Sequence, residues 1–176
     1  MEYMKYFEDI KRIIQRKLSL EQKYTLLRTV HKSLTDGDCV GCENCGKLIA
    51  NIATIKGDAD NKTYLIGMDC LETFLINNNL LDGKSVEEFN KTKKSLPKAI
   101  TIIKSISDFL DNNKFIDEVV IEFLKMYQYK WITINYYYNG KQKYNDGAKV
   151  KDFDINLLMN SLNLKFKDKV KFRLES

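Results

Sequence analysis

Apolar residues in the first part of the chain recur at helical spacing. Residues 2–18 place aromatic and aliphatic side chains on one helix face, and Ser19 then opens a capping box in which Gln22 is the third helical position. The apolar residues that follow keep the same spacing: Leu20, Tyr24, Leu27, Val30 and Leu34. The sequence therefore predicts a helical hairpin over residues 1–36, which "TDGD" ends.

The next segment changes to strand-like patterns. "LIANIATIKG" and "KTYLIG" predict two short strands, and the "DADN" between them has the composition of a turn. "DCLETFLINNN" then predicts a helix, with Asp69 as its N-cap and Glu72 closing a second capping box. The order strand, turn, strand, helix is expected for a small embedded module.

Two further helices are predicted in the centre of the chain. Ser85 can cap one that runs to about Lys94, and Pro97 suits the first turn of another over residues 96–111. The segment "FIDEVVIEFLKMYQ" fits a third helix, but its β-branched residues leave a strand open as the alternative.

The last part of the chain is rich in strand-forming residues. "KWITINYYYNGKQKY" predicts a hairpin around Asn139-Gly140, "DINLLMNSL" a short helix, and "LKFKDKVKFRLES" a final strand. The fold class expected is α+β, with a helical hairpin, an embedded module, central helices and a C-terminal antiparallel sheet. We expect three regions, residues 1–38, 39–80 and 81–176, in which the last packs with the first as one core.

Composition indicates a globular chain in a reducing compartment. The 176 residues are 44% hydrophobic and 30% charged, and no apolar run approaches the roughly 20 residues that span a bilayer. The first residues, "MEYMKYFEDIKRII", lack the apolar stretch of a signal peptide. We therefore expect a cytoplasmic location with no membrane contact, where clustered cysteines favour a metal over a disulfide.

The four cysteines have the spacing of a metal site. Cys42 and Cys45 are separated by two residues and followed by glycine, as in a zinc knuckle whose tight turn points backbone N–H groups at both sulfurs. The 24 residues between Cys45 and Cys70 suffice for a hairpin that brings the chain back. Cys70 would lie in a first helical turn, where the helix dipole favours a thiolate.

The stretch "CENCGKLIANIATIK…KTYLIGMDCLETFL" resembles a treble-clef or zinc-ribbon module. It is similar to a small zinc module in proteins of phages and bacterial mobile elements, and the likeness covers residues 39–77. This resemblance implies that Cys42, Cys45 and Cys70 are metal ligands. A full treble clef has two ligands from the helix side, and this chain carries Met68 and Thr73 at the places where the second would lie.

The fourth ligand is expected to be Cys39, three residues before the knuckle, with His31 and Asp69 as alternatives. Structural zinc is nearly always four-coordinate, and four thiolates are a common ligand set. We therefore predict one structural Zn²⁺ per chain. A catalytic zinc usually has histidine ligands, and this chain has one histidine, so no enzyme activity is expected.

Charge is unevenly distributed along the chain. Residues 39–83 carry three Lys/Arg and six Asp/Glu, whereas residues 84–176 carry eighteen and twelve. If the C-terminal stretch is one strand, five basic residues share a face of it: Lys165, Lys167, Lys169, Lys171 and Arg173. With Tyr136 to Tyr138 available for base stacking, nucleic acid is one possible partner.

The acidic cysteine segment disfavours a polyanion, and no catalytic constellation is present. We therefore predict a non-enzymatic, zinc-stabilised protein that binds another protein. The resemblance implies that it is encoded by a phage or mobile element and that it inhibits or redirects a host or defence protein. Its alternative is a nucleic-acid-binding protein that uses the basic C-terminal strand.

Overall fold

The computed structural model of the chain describes residues 18–125 and 129–174. In these ranges helices combine with mainly antiparallel sheets, which confirms the predicted α+β class. The chain divides into two compact units, Met1–Asn90 and Lys91–Ser176. The finer boundaries predicted at residues 38 and 80, and a core shared by residues 1–38 and 81–176, stay predictions.

The first unit contains five strands in its described part: β1 (Tyr24–His31), β2 (Val40–Gly41), β3 (Leu48–Ile49), β4 (Asn51–Gly57) and β5 (Thr63–Gly67). Strands β1, β4 and β5 form an antiparallel sheet with β4 in the centre, and β2 pairs with β3 in a two-stranded ribbon. Helix α1 (Met68–Cys70) follows β5 directly and continues as a π-helical segment, Leu71–Ile76.

The prediction of a second helix in the N-terminal hairpin is wrong, because residues 24–31 form strand β1. Three side chains assigned to the apolar helix face are exposed: Leu20, Leu27 and Leu34. A bulge between Leu26 and Arg28 shifts the alternation of the strand, and this imitates a helical period. Pairing with β4 therefore overrides the local pattern. The first predicted helix, residues 2–18, lies almost entirely outside the described residues.

The predicted strand–turn–strand–helix order after the knuckle is confirmed. Strands β4 and β5 flank the turn at residues 58–62, and Cys70 lies in the first helical turn. Gly67, and not the predicted Asp69, holds the N-cap position of α1, and no side chain caps it.

One helix, α2 (Gly83–Asn112), replaces the two predicted in the centre of the chain. Asp82 precedes it, and its carboxylate accepts hydrogen bonds from the backbone N–H and the hydroxyl of Ser85, both at 2.9 Å. Ser85 is thus the third helical residue and not the cap. Its buried hydroxyl also accepts a hydrogen bond from the backbone N–H of Leu26 in β1.

Pro97 lies inside α2 without ending it. Contacts on both sides hold the helix in place. Before the proline, the Thr92 hydroxyl donates to the Asp154 carboxylate at 2.6 Å, and the Ser95 hydroxyl accepts from the Asp154 backbone N–H at 2.8 Å. After it, buried residues from Ala99 to Leu110 pack in the core of the second unit. Tertiary packing thus outweighs the missing N–H of the proline.

The second unit is built on one four-stranded sheet. Its elements are β6 (Glu118–Lys125), β7 (Lys130–Tyr138), β8 (Lys141–Val150), α3 (Ile155–Phe166) and β9 (Val170–Leu174). The strand order is β8-β7-β6-β9. The segment "FIDEVVIEFLKMYQ", for which the sequence allowed either a helix or a strand, therefore contains strand β6. The Asn139-Gly140 turn between β7 and β8 is confirmed, with both residues at positive φ.

The long final strand predicted over residues 164–176 is wrong in its first half. Helix α3, capped by Asp154, runs on to Phe166, and Lys167–Lys169 form a 3₁₀ turn. Burial of Leu157, Leu158 and Leu162 anchors the helix, so local alternation in "LKFK" does not decide the structure. Strand β9 is short and pairs parallel to β6, so the sheet is not purely antiparallel.

One apolar cluster forms the core of this unit, between its sheet and the inner faces of α2 and α3. Within residues 18–125 and 129–174, none of the helices has both the length and the apolar character that crossing a lipid bilayer requires.

Candidate metal centre

The Cys42–Cys45 turn has the backbone of a knuckle. The N–H of Gly46 donates to the carbonyl of Cys42, and the N–H of Cys42 donates to the carbonyl of Lys47, both at 2.7 Å. Gly46 adopts a φ of 79°, a conformation in which a side chain is strained. The glycine after the second cysteine therefore permits the turn, as the sequence predicts.

A second arm of the chain meets this turn at the end of β5. The Glu43 backbone N–H donates to the Leu65 carbonyl at 2.9 Å, and the Glu43 carboxylate accepts from the Leu65 N–H. Two residues later the Gly67 N–H donates to the Cys42 sulfur. These bonds fix the knuckle beside the start of α1, which carries Cys70.

The Sγ atoms of Cys42, Cys45 and Cys70 all lie within 4.8 Å of one another. Four sulfurs at about 2.3 Å from a tetrahedral zinc are roughly 3.8 Å apart, so small side-chain adjustments suffice to bind the ion. Cys42 is buried, and Cys45 and Cys70 are half-buried. Both the spacing and the donor type fit a thiolate-bound metal.

Hydrogen bonds stabilise a thiolate at Cys42. They lower the pKa of Cys42 to about 5, with the bond from the Cys70 thiol as the largest cause and the backbone N–H groups of Gly67, Cys45 and Asn44 adding to it. The same shared proton raises the pKa of Cys70, and burial raises it further. Metal binding would replace that proton, so both sulfurs could bind as thiolates.

Asn44, between the two knuckle cysteines, is a site residue that the sequence analysis missed. Its side chain is buried and hydrogen-bonds to the Cys70 sulfur. Within the described part of the chain, its Oδ1 atom has no hydrogen-bond partner. A polar residue inside a CxxC turn was the available signal, but such residues usually face solvent.

The predicted fourth ligands lie outside this group of three. Cys39 is exposed, and its thiol donates to the Leu34 carbonyl at 3.2 Å. His31 is half-buried, and its Nδ1 lies 2.7 Å from the Asn51 Oδ1. Asp69 is exposed on α1, beside Cys70. The structure thus brings together three of the four predicted cysteines, and closure by Cys39 stays a prediction.

The basic residues at the C-terminus do not share the face of one strand. Lys165 belongs to α3, Lys167 and Lys169 belong to the 3₁₀ turn, and the remaining two belong to β9. Those two, Lys171 and Arg173, form ion pairs with Glu118 and Glu122 of β6 at 3.3 and 3.8 Å. The predicted stripe is therefore corrected, because the helix continues through its first half.

The tyrosines proposed for base stacking have different environments. Tyr136 is buried, with its ring centroid 4.0 Å from that of Phe109, and Tyr137 is half-buried. Tyr138 is exposed and contacts Phe115 edge-on. Alternation along β7 sends Tyr136 into the core, so the three rings do not form one stacking platform.

No family model, curated protein or solved structure matches this chain. These comparisons therefore lend no support to a phage or mobile-element origin. The three-cysteine group rests on the geometry alone.

Proposed function

We propose that this chain is a zinc-stabilised, non-enzymatic protein that acts by binding another protein. The observation that carries the zinc part is the convergence of three sulfurs from Cys42, Cys45 and Cys70. Thiolates are soft ligands that favour Zn²⁺, Cu(I) or iron–sulfur clusters, and a tetrahedral sulfur-rich site is typical of zinc.

The proposed metal has a structural role. It would join the knuckle to the junction of β5 and α1. These two segments are distant in sequence, since Cys70 follows Cys45 by 25 positions. Structural zinc contributes an apparent binding free energy of about 10–16 kcal/mol. The whole stability of a domain is about 5–15 kcal/mol. The metal could therefore decide whether this part of the chain folds.

Elemental analysis of the purified protein tests the metal. One equivalent of zinc is expected, and serine at position 42, 45 or 70 should remove it (Cys42→Ser, Cys45→Ser and Cys70→Ser). Cys39→Ser is the matched variant, because it removes an exposed thiol from the same segment. Retention of zinc by Cys39→Ser supports a site of three cysteines. Loss of zinc from this variant supports the predicted set of four cysteines. Metal-free protein with unchanged folding contradicts the proposal.

Metal removal should act locally. A chelator should expose amides of the knuckle, β4, β5 and α1 to hydrogen exchange first. The second unit has its own apolar core, so most of the far-ultraviolet helical signal should persist. Simultaneous loss of all protection would show that the metal supports the whole fold.

The proposed partner is a protein rather than a nucleic acid. A zinc ion with three thiolates adds negative charge to a segment that already carries an excess of acidic residues. Lys171 and Arg173, two members of the predicted basic set, already pair with carboxylates. Both features weaken attraction to a polyanion. That the partner is a host or defence component rests on the sequence resemblance alone.

A salt titration with random-sequence duplex DNA separates the two partner classes. We expect no binding at moderate salt. Tight binding that weakens steeply with salt would favour the nucleic-acid alternative. In that case, Lys165→Glu, Lys167→Glu and Lys169→Glu together should reduce it. A pull-down from cell lysate with and without nuclease then asks whether captured proteins depend on nucleic acid.

A further inference from the structure

Among the described residues, three cysteine sulfurs converge where tetrahedral zinc takes four ligands. Thr73 lies three positions after Cys70, in the π-helical segment that continues α1, where a treble clef would have a second ligand on the helix. Its hydroxyl is committed to the Asp69 carbonyl at 2.7 Å. The helix therefore offers no second sulfur at this position.

A cleft of about 490 Å³ lies against the three cysteines. Residues 47–51, residues 67–70 and Thr73 line it, together with Cys42 and Cys45. This volume is many times that of a water molecule, about 30 Å³. A metal held by these sulfurs is therefore accessible to small ligands.

Charge selects the kind of ligand. Three thiolates and one Zn²⁺ carry a net negative charge, and the opposite charges of Asp69 and Lys47, which both line the cleft, leave that excess in place. A free anion from solution is disfavoured there, whereas a neutral nitrogen donor adds no charge. Three cysteines with one imidazole are a familiar zinc ligand set.

We infer that the zinc site keeps its fourth coordination position open to this cleft, where water exchanges with a neutral, imidazole-type nitrogen donor. The inference rests on the proposed binding of zinc by Cys42, Cys45 and Cys70. Its test must therefore distinguish an occupied fourth position from an absent metal.

The experiment uses the full chain loaded with Co²⁺, whose visible bands report ligand type and geometry. Adding imidazole should shift these bands saturably in the wild-type protein. Thr73→Cys should supply a fourth sulfur, raise the thiolate-to-cobalt charge-transfer intensity by about one third, and abolish the response. Thr73→Ser is the matched control and should keep it. A wild-type spectrum that ignores imidazole overturns the inference.

Two variants test closure from within the chain. Cys39→Ser and His31→Gln should each leave the cobalt spectrum and the imidazole response unchanged. A fall in charge-transfer intensity in Cys39→Ser would identify Cys39 as the fourth ligand. A change of the ligand-field bands in His31→Gln would identify His31. Either result overturns the inference of an open fourth position but leaves the proposed metal binding intact. If the wild-type protein does not bind cobalt, both the inference and the proposed metal site are overturned.

Discussion

The backbone N–H of Gly67 donates a hydrogen bond to the Cys42 sulfur across 3.4 Å, and this bond joins residues 25 positions apart. Gly67 is both the last residue of β5 and the N-cap of α1. One backbone group therefore contacts the knuckle at the point where the chain turns toward Cys70. The close approach depends on glycine, because a Cβ at this position would lie 2.9 Å from the Ile49 Cγ2.

Gly67→Ala should destabilise the first unit and weaken zinc binding. The added methyl group forces Ile49 away from its position, and overpacking of this kind costs about 1–3 kcal/mol. Urea unfolding and competition with a chelator measure the two effects. Gly83→Ala is the control, since a Cβ there meets nothing within 4 Å. Adding Ile49→Ala to Gly67→Ala should recover metal affinity, and failure to recover would locate the damage elsewhere.

Asn44→Asp should lower zinc affinity by about 10–100-fold, the usual effect of losing a residue that supports a ligand. The substitution keeps the size of the side chain but places a carboxylate beside the Cys70 thiolate. Asn77→Asp adds the same charge at an exposed position and should change affinity little. Equal affinities for the two variants would contradict a supporting role for the buried amide.

Ser85→Ala should destabilise the protein by about 1–3 kcal/mol, because the Leu26 N–H would lose its partner in a buried setting. Ser105→Ala removes an exposed hydroxyl from the same helix and should have an effect below about 0.5 kcal/mol. Chemical denaturation followed by circular dichroism compares them. Similar losses would show that the hydroxyl of Ser85 does not join β1 to α2.

The free energy of unfolding should fall in acid as the Asp82 carboxylate becomes protonated. The Ser85 backbone N–H, followed by its hydroxyl, holds the pKa of Asp82 below its usual range. A lowered pKa means that the stabilisation is present above the unfolded pKa, about 4, and is lost as pH falls through the folded value. The Asp82→Asn variant should therefore be less stable than wild type at pH 7 and approach it below pH 4. Acid releases the metal from both proteins, so their difference isolates Asp82. A difference that stays constant with pH contradicts this.

Gly147→Ala should move the ring of Trp131. A Cβ at Gly147 would lie 2.7 Å from the Trp131 Nε1 and under 3 Å from two ring carbons. Since the chain has one tryptophan, its fluorescence reports this site alone. A red shift of the emission is expected as the ring turns toward solvent. Gly83→Ala should leave the spectrum unchanged, and an identical spectrum for Gly147→Ala would mean that the ring adapts in place.

Local chemistry determined several features of this protein from the sequence alone. The glycine after Cys45 takes the positive φ of the knuckle, and Asn139-Gly140 takes the positive φ of a hairpin turn. The β4–β5 hairpin returns the chain so that Cys70 meets Cys42 and Cys45. Each turn depends on residues adjacent in the chain, where residue type alone restricts the backbone, and the hairpin built on such a turn carries Cys70 back.

Only the tertiary structure decided the rest. Residues 24–31 have an apolar spacing that suits a helix, but pairing with β4 makes them a strand. The alternation after Leu164 suits a strand, but burial of the α3 face extends the helix to Phe166. Asn44 turns inward and Cys39 outward, although both belong to the same cysteine-rich segment. In each case the deciding contacts are with distant residues, and these outweigh the small free-energy preferences that a local pattern expresses.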